Sequence, residues 1–384
     1  MRVILHYGDE EWSGRARFVV EAALLLMERG ARVAVTCPLN SAAEQRFASV
    51  KGLTVRPVNG DGSWMDLSRR IRRVARELFG EVVLVHTARE QLVVAAALRS
   101  ERRGAVLRRV PLLGAPLYVA DTVASPADAR RLEIGNTRME RVAAYMACSG
   151  FILSSQEDLR ALRLPGRPLP PTVVPVGVDA SDSARIIPLP RDQVGVSGPG
   201  PLLVCLMSAD ARARVGTTLR TMALLSERHP TLRLALVGPG SDHDDLRMHA
   251  AALGIMHRVV FLGDRDDSRR VLAAADIGWV ASAGDTEVYA LLDLMASEVA
   301  VVGERSPAAA SYVADGITGI LFPPSDPPAG AAAIATLLAD GDERIKMGRA
   351  GRTRAAREFG VQPMAEALMA AVSAARDRSR WRRP

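Results

Sequence analysis

Short apolar runs and amphipathic stretches alternate along most of this 384-residue chain. Residues 3–6 read as a strand, and the apolar spacing that follows predicts a helix over 14–29, stopped by Gly30. Further strands are predicted at 32–36, 55–58, 82–86 and 105–109, with helices between most of them. A long helix over 127–146 leads into a strand at 151–154, and the pattern closes near 173–178. Residues 181–200 are rich in Pro, Gly and Ser, show no period, and read as a linker. The rhythm then restarts, with strands at 202–207, 232–237, 259–262, 277–281 and 299–302 and helices at 217–228 and 244–253.

Strands that alternate with helices form parallel βαβ units. The predicted fold is therefore α/β, with two Rossmann-like, doubly wound parallel-sheet domains facing a cleft. The first spans 1–180 and the second 201–358. A C-terminal segment, 359–384, carries a helix over 362–375 expected to pack back on the first domain, then a basic tail. Sheets of this kind bind ligands beyond the carboxyl ends of their strands.

Composition narrows the chemistry. Aromatic residues make up 4%, too few for a stacking platform on single-stranded nucleic acid, so no nucleic-acid partner is expected. The formal charge of +7 is carried almost wholly by arginine, with lysine only at 51 and 346. Arginine forks suit phosphate and carboxylate, and a solvated basic surface accounts for the same excess. Cys37, Cys148 and Cys205 are far apart and lie in or beside apolar runs. They read as buried thiols of a reducing compartment, with neither a disulfide frame nor zinc spacing. No run approaches the roughly 18 apolar residues of a spanning helix. A strand follows Met1-Arg2 directly, so a cytoplasmic location is expected. The tail 376–384 holds five arginines and Trp381. It reads either as a peripheral contact with anionic lipid or as a solvated terminus.

The stretch 275–302 concentrates the candidate chemistry. Asp285 and Asp293 lie eight positions apart across a loop-to-helix junction, the way an α/β protein places acids at the carboxyl edge of its sheet. In the first domain, Ser13-Gly14 opens a helix and can cradle phosphate with backbone N–H groups. Arg15 and Arg17 on that first turn oppose the helix dipole and so favour an anion there. His86 ends a strand facing the expected cleft, where it can bind acceptor or transfer a proton, or serve as a structural hydrogen-bonding residue.

A series of motifs in order adds a resemblance: Leu234-Ala-Leu-Val-Gly-Pro-Gly240, Arg258-Val-Val-Phe-Leu-Gly263, Ala274-Ala-Asp276 and Asp315-Gly-Ile-Thr-Gly-Ile-Leu-Phe-Pro-Pro324. With Trp12-Ser-Gly-Arg-Ala-Arg17 and Val174-Pro-Val-Gly-Val-Asp179 in the first half, the chain resembles the family 4 (group 1) glycosyltransferases of the GT-B fold. The resemblance implies transfer of a sugar from a nucleotide sugar to a glycan or lipid-linked acceptor, with retention and with neither metal nor other cofactor. It implies that Asp285 lies beside the donor sugar as a catalytic residue and that Asp293 binds the ribose hydroxyls. Gly14, Gly238, Arg212 and Arg214 fall to the donor phosphates, His86 to proton transfer, and Arg108 and Arg109 to an anionic acceptor. Glu287, with Tyr289 after it, is a slipped alternative for the first acid.

The chain also departs from that pattern. Thr286-Glu287-Val288 stands in place of two glycines flanking an aromatic, Glu298 in place of glycine, Ala300 in place of proline and Ser311 in place of glutamate. Asp210 and Val215 occupy the positions of a basic pair that would neutralise a diphosphate. The alternative is thus a catalytically degenerate homologue serving as a binding or scaffold subunit. A sugar-nucleotide epimerase on the same two-domain fold is a third reading.

Overall fold

The computed structural model describes residues 1–58, 64–99, 105–109, 132–133, 149–156, 162–163, 171–183, 185–196, 198–207, 215–280 and 285–381. Contacts divide the chain into two compact units. One is built on residues up to Val176 together with the last helix from Val361, the other on Gly177–Gly360. The helix expected over 127–146 lies outside the described residues.

In the first unit, β1 (Arg2–His6), α1 (Gly14–Glu28), β2 (Arg32–Thr36), α2 (Ala42–Ser49), β3 (Thr54–Val55), α3 (Trp64–Glu77), β4 (Val82–Val85), α4 (Ala88–Arg99) and β5 (Ala105–Arg109) follow in turn. Then come β6 (Leu132–Glu133), β7 (Gly150–Leu153), β8 (Leu162–Arg163) and β9 (Pro171–Val173). Seven of these strands form one sheet in the order β3-β2-β1-β4-β5-β7-β9, all parallel, while β6 and β8 pair separately. Valines and leucines at 82–85 are buried on both faces, which is why β4 reads as an unbroken apolar run rather than an alternation. The strand expected over 55–58 is shorter. β3 ends at Val55, yet backbone bonds to β2 continue past it, from Arg56 N–H to Val35 O and from Val58 N–H to Cys37 O, both at 2.8 Å, and Pro57 sits where its nitrogen faces away from β2 at the sheet edge.

The second unit holds α5 (Ala180–Ser183), β10 (Leu202–Leu206), α6 (Val215–Leu225), β11 (Arg233–Val237), α7 (Asp244–Ala252), β12 (Val259–Phe261), α8 (Ser268–Ala273) and β13 (Ile277–Val280). It continues with α9 (Asp285–Ala296), β14 (Ala300–Glu304), α10 (Pro307–Tyr312), β15 (Gly319–Phe322), α11 (Pro327–Ala339) and α12 (Gly341–Glu358). Its six strands are parallel in the order β12-β11-β10-β13-β14-β15. That is the doubly wound 3-2-1-4-5-6 arrangement, whose direction of winding reverses between the first and fourth strands. Trp279 on β13 is buried against Phe322 and against Gly330, where a Cβ would come within 2.8 Å of the indole. α11 begins on two prolines, with Asp326 accepting the Ala329 N–H at 3.0 Å, the local grammar of a helix start.

The stretch expected to be a linker is packed on the second unit. Leu189, Val194 and Val196 are buried, the Leu189 N–H bonds Arg270 O at 3.0 Å, and Arg191 reaches Asp276 at 2.6 Å. Pro and Gly there shape a compact turn-rich segment. The last helix, α13 (Val361–Trp381), is longer than the apolar period suggested and runs into the basic tail. It belongs to the first unit, where Arg378 Nε donates to Ser149 O at 2.6 Å and Gln362 Oε1 accepts from Arg29 at 2.8 Å.

Candidate functional site

Winding reverses between β10 and β13 in the second unit and between β1 and β4 in the first. The carboxyl ends of those strands are the places to look for ligands. In the second unit, Gly238 directly follows β11, with φ of 112°. A Cβ there would sit 2.2 Å from Met207 O, while its N–H donates to Gly263 O at 2.8 Å. Gly238 thus draws three strand ends together, and only glycine fits. Ser241, two residues past Pro239, is fully buried.

α9 begins at Asp285, directly after residues 281–284, which are outside the described residues, as is the Asp285 side chain. Glu287 in its first turn is buried, and Val288 is packed in the core. The sequence places no flexible glycine at either 286 or 288. Asp293 is buried at 2% exposure, and Arg269 on α8 lies against it with Nε 3.3 Å from Oδ1. The same guanidinium donates to Asp182 Oδ2 at 2.9 Å and to Ser183 Oγ at 3.0 Å on α5. One arginine therefore ties three helices together, joining α8 to α9 through Asp293 and to α5 through Asp182 and Ser183. Sequence reading missed Arg269 because it precedes Asp293 by a whole strand and loop.

Glu304 was also missed. It closes β14 and is buried at 6% exposure, so a polar residue at the end of the apolar run Ala300–Gly303 was its signal. Where α9 ends, Glu298 adopts φ of 62°, the left-handed region that favours glycine. Gly348 on α12 packs against this turn so closely that a Cβ would lie on Glu298 O, and Arg352 pairs with the Glu298 carboxylate at 2.8 Å. Val215, where a cation was looked for, is buried in the first turn of α6. Asp210, Arg212 and Arg214 lie outside the described residues.

In the first unit, Gly14 is buried as the first residue of α1. Ser13 before it makes no side-chain cap. Its hydroxyl is 3.0 Å from Tyr7 Oη, which donates to Glu11 O at 2.6 Å. Burial pushes the Tyr7 phenol up to about 12. Arg15 pairs with Asp9 at 2.9 Å and Arg17 with Glu21 at 3.0 Å. These arginines meet carboxylates of the chain itself, which answers the charge mismatch on the first turn without an added anion.

His86 is 1% exposed and lies edge-on to Tyr7 and Phe18, with ring centroids 6.5 and 6.1 Å away. Its backbone N–H and that of Thr87 donate to Glu90 Oε2 at 2.7 and 3.1 Å, while Thr87 Oγ1 accepts from the Glu90 N–H at 3.1 Å. This reciprocal capping box starts α4. Gly8 leaves room for Glu90, whose Oε1 would stand 2.5 Å from an added Cβ. His6, buried at the end of β1, shares Nδ1 with Thr36 Oγ1 at 2.8 Å, and burial holds its pKa below the usual histidine value. Neither Glu90 nor His6 was singled out from sequence. Arg108 and Arg109 lie on β5, where Arg108 is in register with Val85 and Phe151. Their side chains are outside the described residues.

Residues 200–340 match the family model for glycosyl transferases group 1. That match lies within the second unit. Among curated proteins, the chain is 26% identical to the lipopolysaccharide core biosynthesis glycosyltransferase LpsE of Rhizobium meliloti, over 49% of this chain and 54% of that protein. It is 34% identical to the D-inositol 3-phosphate glycosyltransferase of Corynebacterium glutamicum, over 34% of this chain and 33% of that one. The chain thus spans about half or less of the length of these relatives. Among solved structures, Anabaena HepE in complex with UDP and glucose superposes with a TM-score of 0.77 at 20% identity, over 97% of this chain and 99% of that chain. The fold is that of the GT-B structures. Among the described residues no helix is long and apolar enough to cross a membrane.

Proposed function

We propose that this chain transfers a sugar from a nucleotide sugar to a glycan or lipid-linked acceptor, with retention at the anomeric carbon and without a metal ion. The observation that carries this reading is the buried carboxylate of Asp293 on α9, eight positions after Asp285, inside the segment that matches the group 1 family. Ionised carboxylates accept hydrogen bonds from vicinal hydroxyls, which suits Asp293 to a ribose. A carboxylate at the head of α9 suits the positive charge that grows on the anomeric carbon as the leaving group departs. Gly238 keeps the strand ends close enough for backbone contact with a phosphate, and Gly14, Arg212 and Arg214 are the remaining donor candidates. His86, Arg108 and Arg109 are assigned to the acceptor side. The complex of HepE with UDP and glucose makes UDP-sugars the first donors to try.

A second reading has its own support. Arg269 already engages Asp293, Val288 fills a position where a glycine was looked for, and Glu287 adds a buried negative charge beside it. These features favour a degenerate homologue that keeps the fold and has lost turnover. Two measurements separate the readings. Thermal unfolding with single UDP- and GDP-sugars reports binding, since a donor at 100 times its dissociation constant stabilises by about 2.7 kcal/mol. Release of free nucleoside diphosphate from the same donor reports turnover. Binding with release supports the transferase, binding without release supports a degenerate homologue that still binds donor, and no shift with any donor rejects the transferase and leaves the scaffold reading.

A further inference from the structure

All three guanidinium nitrogens of Arg269 meet a partner. Nη1 donates to Asp182 Oδ2 at 2.9 Å, Nη2 donates to Ser183 Oγ at 3.0 Å, and Nε lies 3.3 Å from Asp293 Oδ1. A guanidinium is a rigid planar fork, so its two bonds to α5 fix its plane and hold Nε on the side of Asp293. α5 is itself tied down. Asp179 Oδ1 accepts the Ser181 and Asp182 N–H groups at 2.9 and 3.1 Å, and Ser183 is buried. The next residue of α8 adds a second attachment, since Arg270 Nε donates to Ile187 O and Arg270 O accepts the Leu189 N–H, both at 3.0 Å. The segment 180–189 therefore acts as a clamp that sets where Arg269 stands. A buried ion pair adds little net stability, because desolvation offsets the attraction. What this pair does supply is direction. The Nε–H is buried and makes no directed hydrogen bond among the described residues, so it meets Asp293 as a charge at a fixed distance.

We propose that Arg269, clamped by α5, is a positioning residue that sets the Asp293 carboxylate for the donor's ribose hydroxyls and so makes recognition depend on the 2′-hydroxyl. An aspartate carboxylate turns broadly about its last torsion, and a cation fixed beside Oδ1 selects one setting of it. A carboxylate that accepts from two vicinal hydroxyls needs such a setting, because both hydrogen bonds depend on angle. Arg269 then orients the carboxylate for the ribose. The inference rests on the assignment of Asp293 to the donor ribose. It adds a reason for the packing of 180–189, which holds the arginine that aims the acid.

Titration calorimetry of the full chain with UDP, GDP and their 2′-deoxy forms tests it. Wild type is expected to bind one ribonucleotide roughly tenfold or more tighter than its deoxy counterpart, the factor that a hydrogen bond to a charged group supplies. Arg269→Ala should bind the deoxy form as wild type does and narrow the gap to about threefold or less. A merely structural arginine would weaken both forms equally. Asp182→Ala removes one arm of the clamp and keeps the charge beside Asp293, so it is read if Arg269→Ala unfolds. It should narrow the gap with little change in melting temperature. Asp293→Asn separates the inference from the assignment beneath it. A wild type that binds no nucleotide at millimolar concentration, or shows no gap, or a gap that survives Asp293→Asn, rejects the ribose assignment and the inference with it. A gap that Asp293→Asn abolishes and Arg269→Ala preserves overturns the role of Arg269 alone. Equal loss for both forms does the same, as does an unchanged gap in Asp182→Ala. Tighter ribonucleotide binding by Arg269→Ala also overturns it, because the arginine would then compete with the ribose.

Discussion

Arg269 Nε lies 3.3 Å from Asp293 Oδ1, and the Asp293 side chain is 3% exposed. The pair joins α8 to α9, and the remaining guanidinium nitrogens extend it to Asp182 and Ser183 on α5. Removing Arg269 takes from the buried Asp293 carboxylate a cation that is itself about one-third exposed, so solvent screening tempers the loss. Arg269→Ala is therefore expected to cost about 1–3 kcal/mol. Asp182→Ala, on an exposed carboxylate, should cost under about 1 kcal/mol. Urea unfolding of both variants checks this, and equal losses would show that Asp293 is not the partner that matters.

Glu298 holds φ of 62° at the end of α9. Replacement by either Gly or Ala deletes the ion pair with Arg352, and only Gly relieves the backbone. Glu298→Gly is expected to be more stable than Glu298→Ala by about 1 kcal/mol. A denaturant midpoint series on the two variants reads this difference directly. Equal midpoints would mean that the turn relaxes without cost.

These two sites show what was legible in the chain and what was not. The doubly wound sheets were, because strands such as Val82–Val85 and Leu202–Leu206 are covered on both faces and leave uninterrupted apolar runs. Glu298 was visible as a glycine position filled by another residue. The packing of 181–200 was not. Its buried residues, Leu189, Val194 and Val196, are spaced by turns rather than by a helical or strand period. Arg269 was equally hidden, since nothing local to a short helix says which carboxylate a long side chain will meet across a fold.

His6 is buried with its pKa below the ordinary histidine value of 6.5 because burial disfavours the charged ring. The unfolded chain then binds the proton more readily than the folded one. The stability from a neutral His6 is fully present above 6.5 and is lost as pH falls through that value toward the folded pKa. Melting temperature should drop on the acid side, and His6→Asn, which can keep the contact to Thr36, should flatten that limb. Parallel pH profiles for wild type and variant would contradict the assignment.

Cys37 and Cys205 are buried, and burial pushes the Cys37 thiol up to about 12. Thiolate is the reactive form, so neither should alkylate in the native state at mildly alkaline pH. Brief iodoacetamide treatment followed by peptide mass spectrometry should find both unmodified, and both modified after unfolding. Labelling of native Cys37 would mean that the α2 side of the sheet opens readily.

Titration calorimetry of a UDP- and GDP-sugar panel against wild type and Asp293→Asn tests the central claim most directly. The account predicts that at least one donor binds wild type and that the variant, which keeps the side-chain shape and loses the charge, binds it at least about tenfold more weakly, since hydrogen bonds to charged groups are worth about 1.5–3 kcal/mol. No heat with any donor at millimolar concentration, or equal affinity for the two proteins, would contradict it.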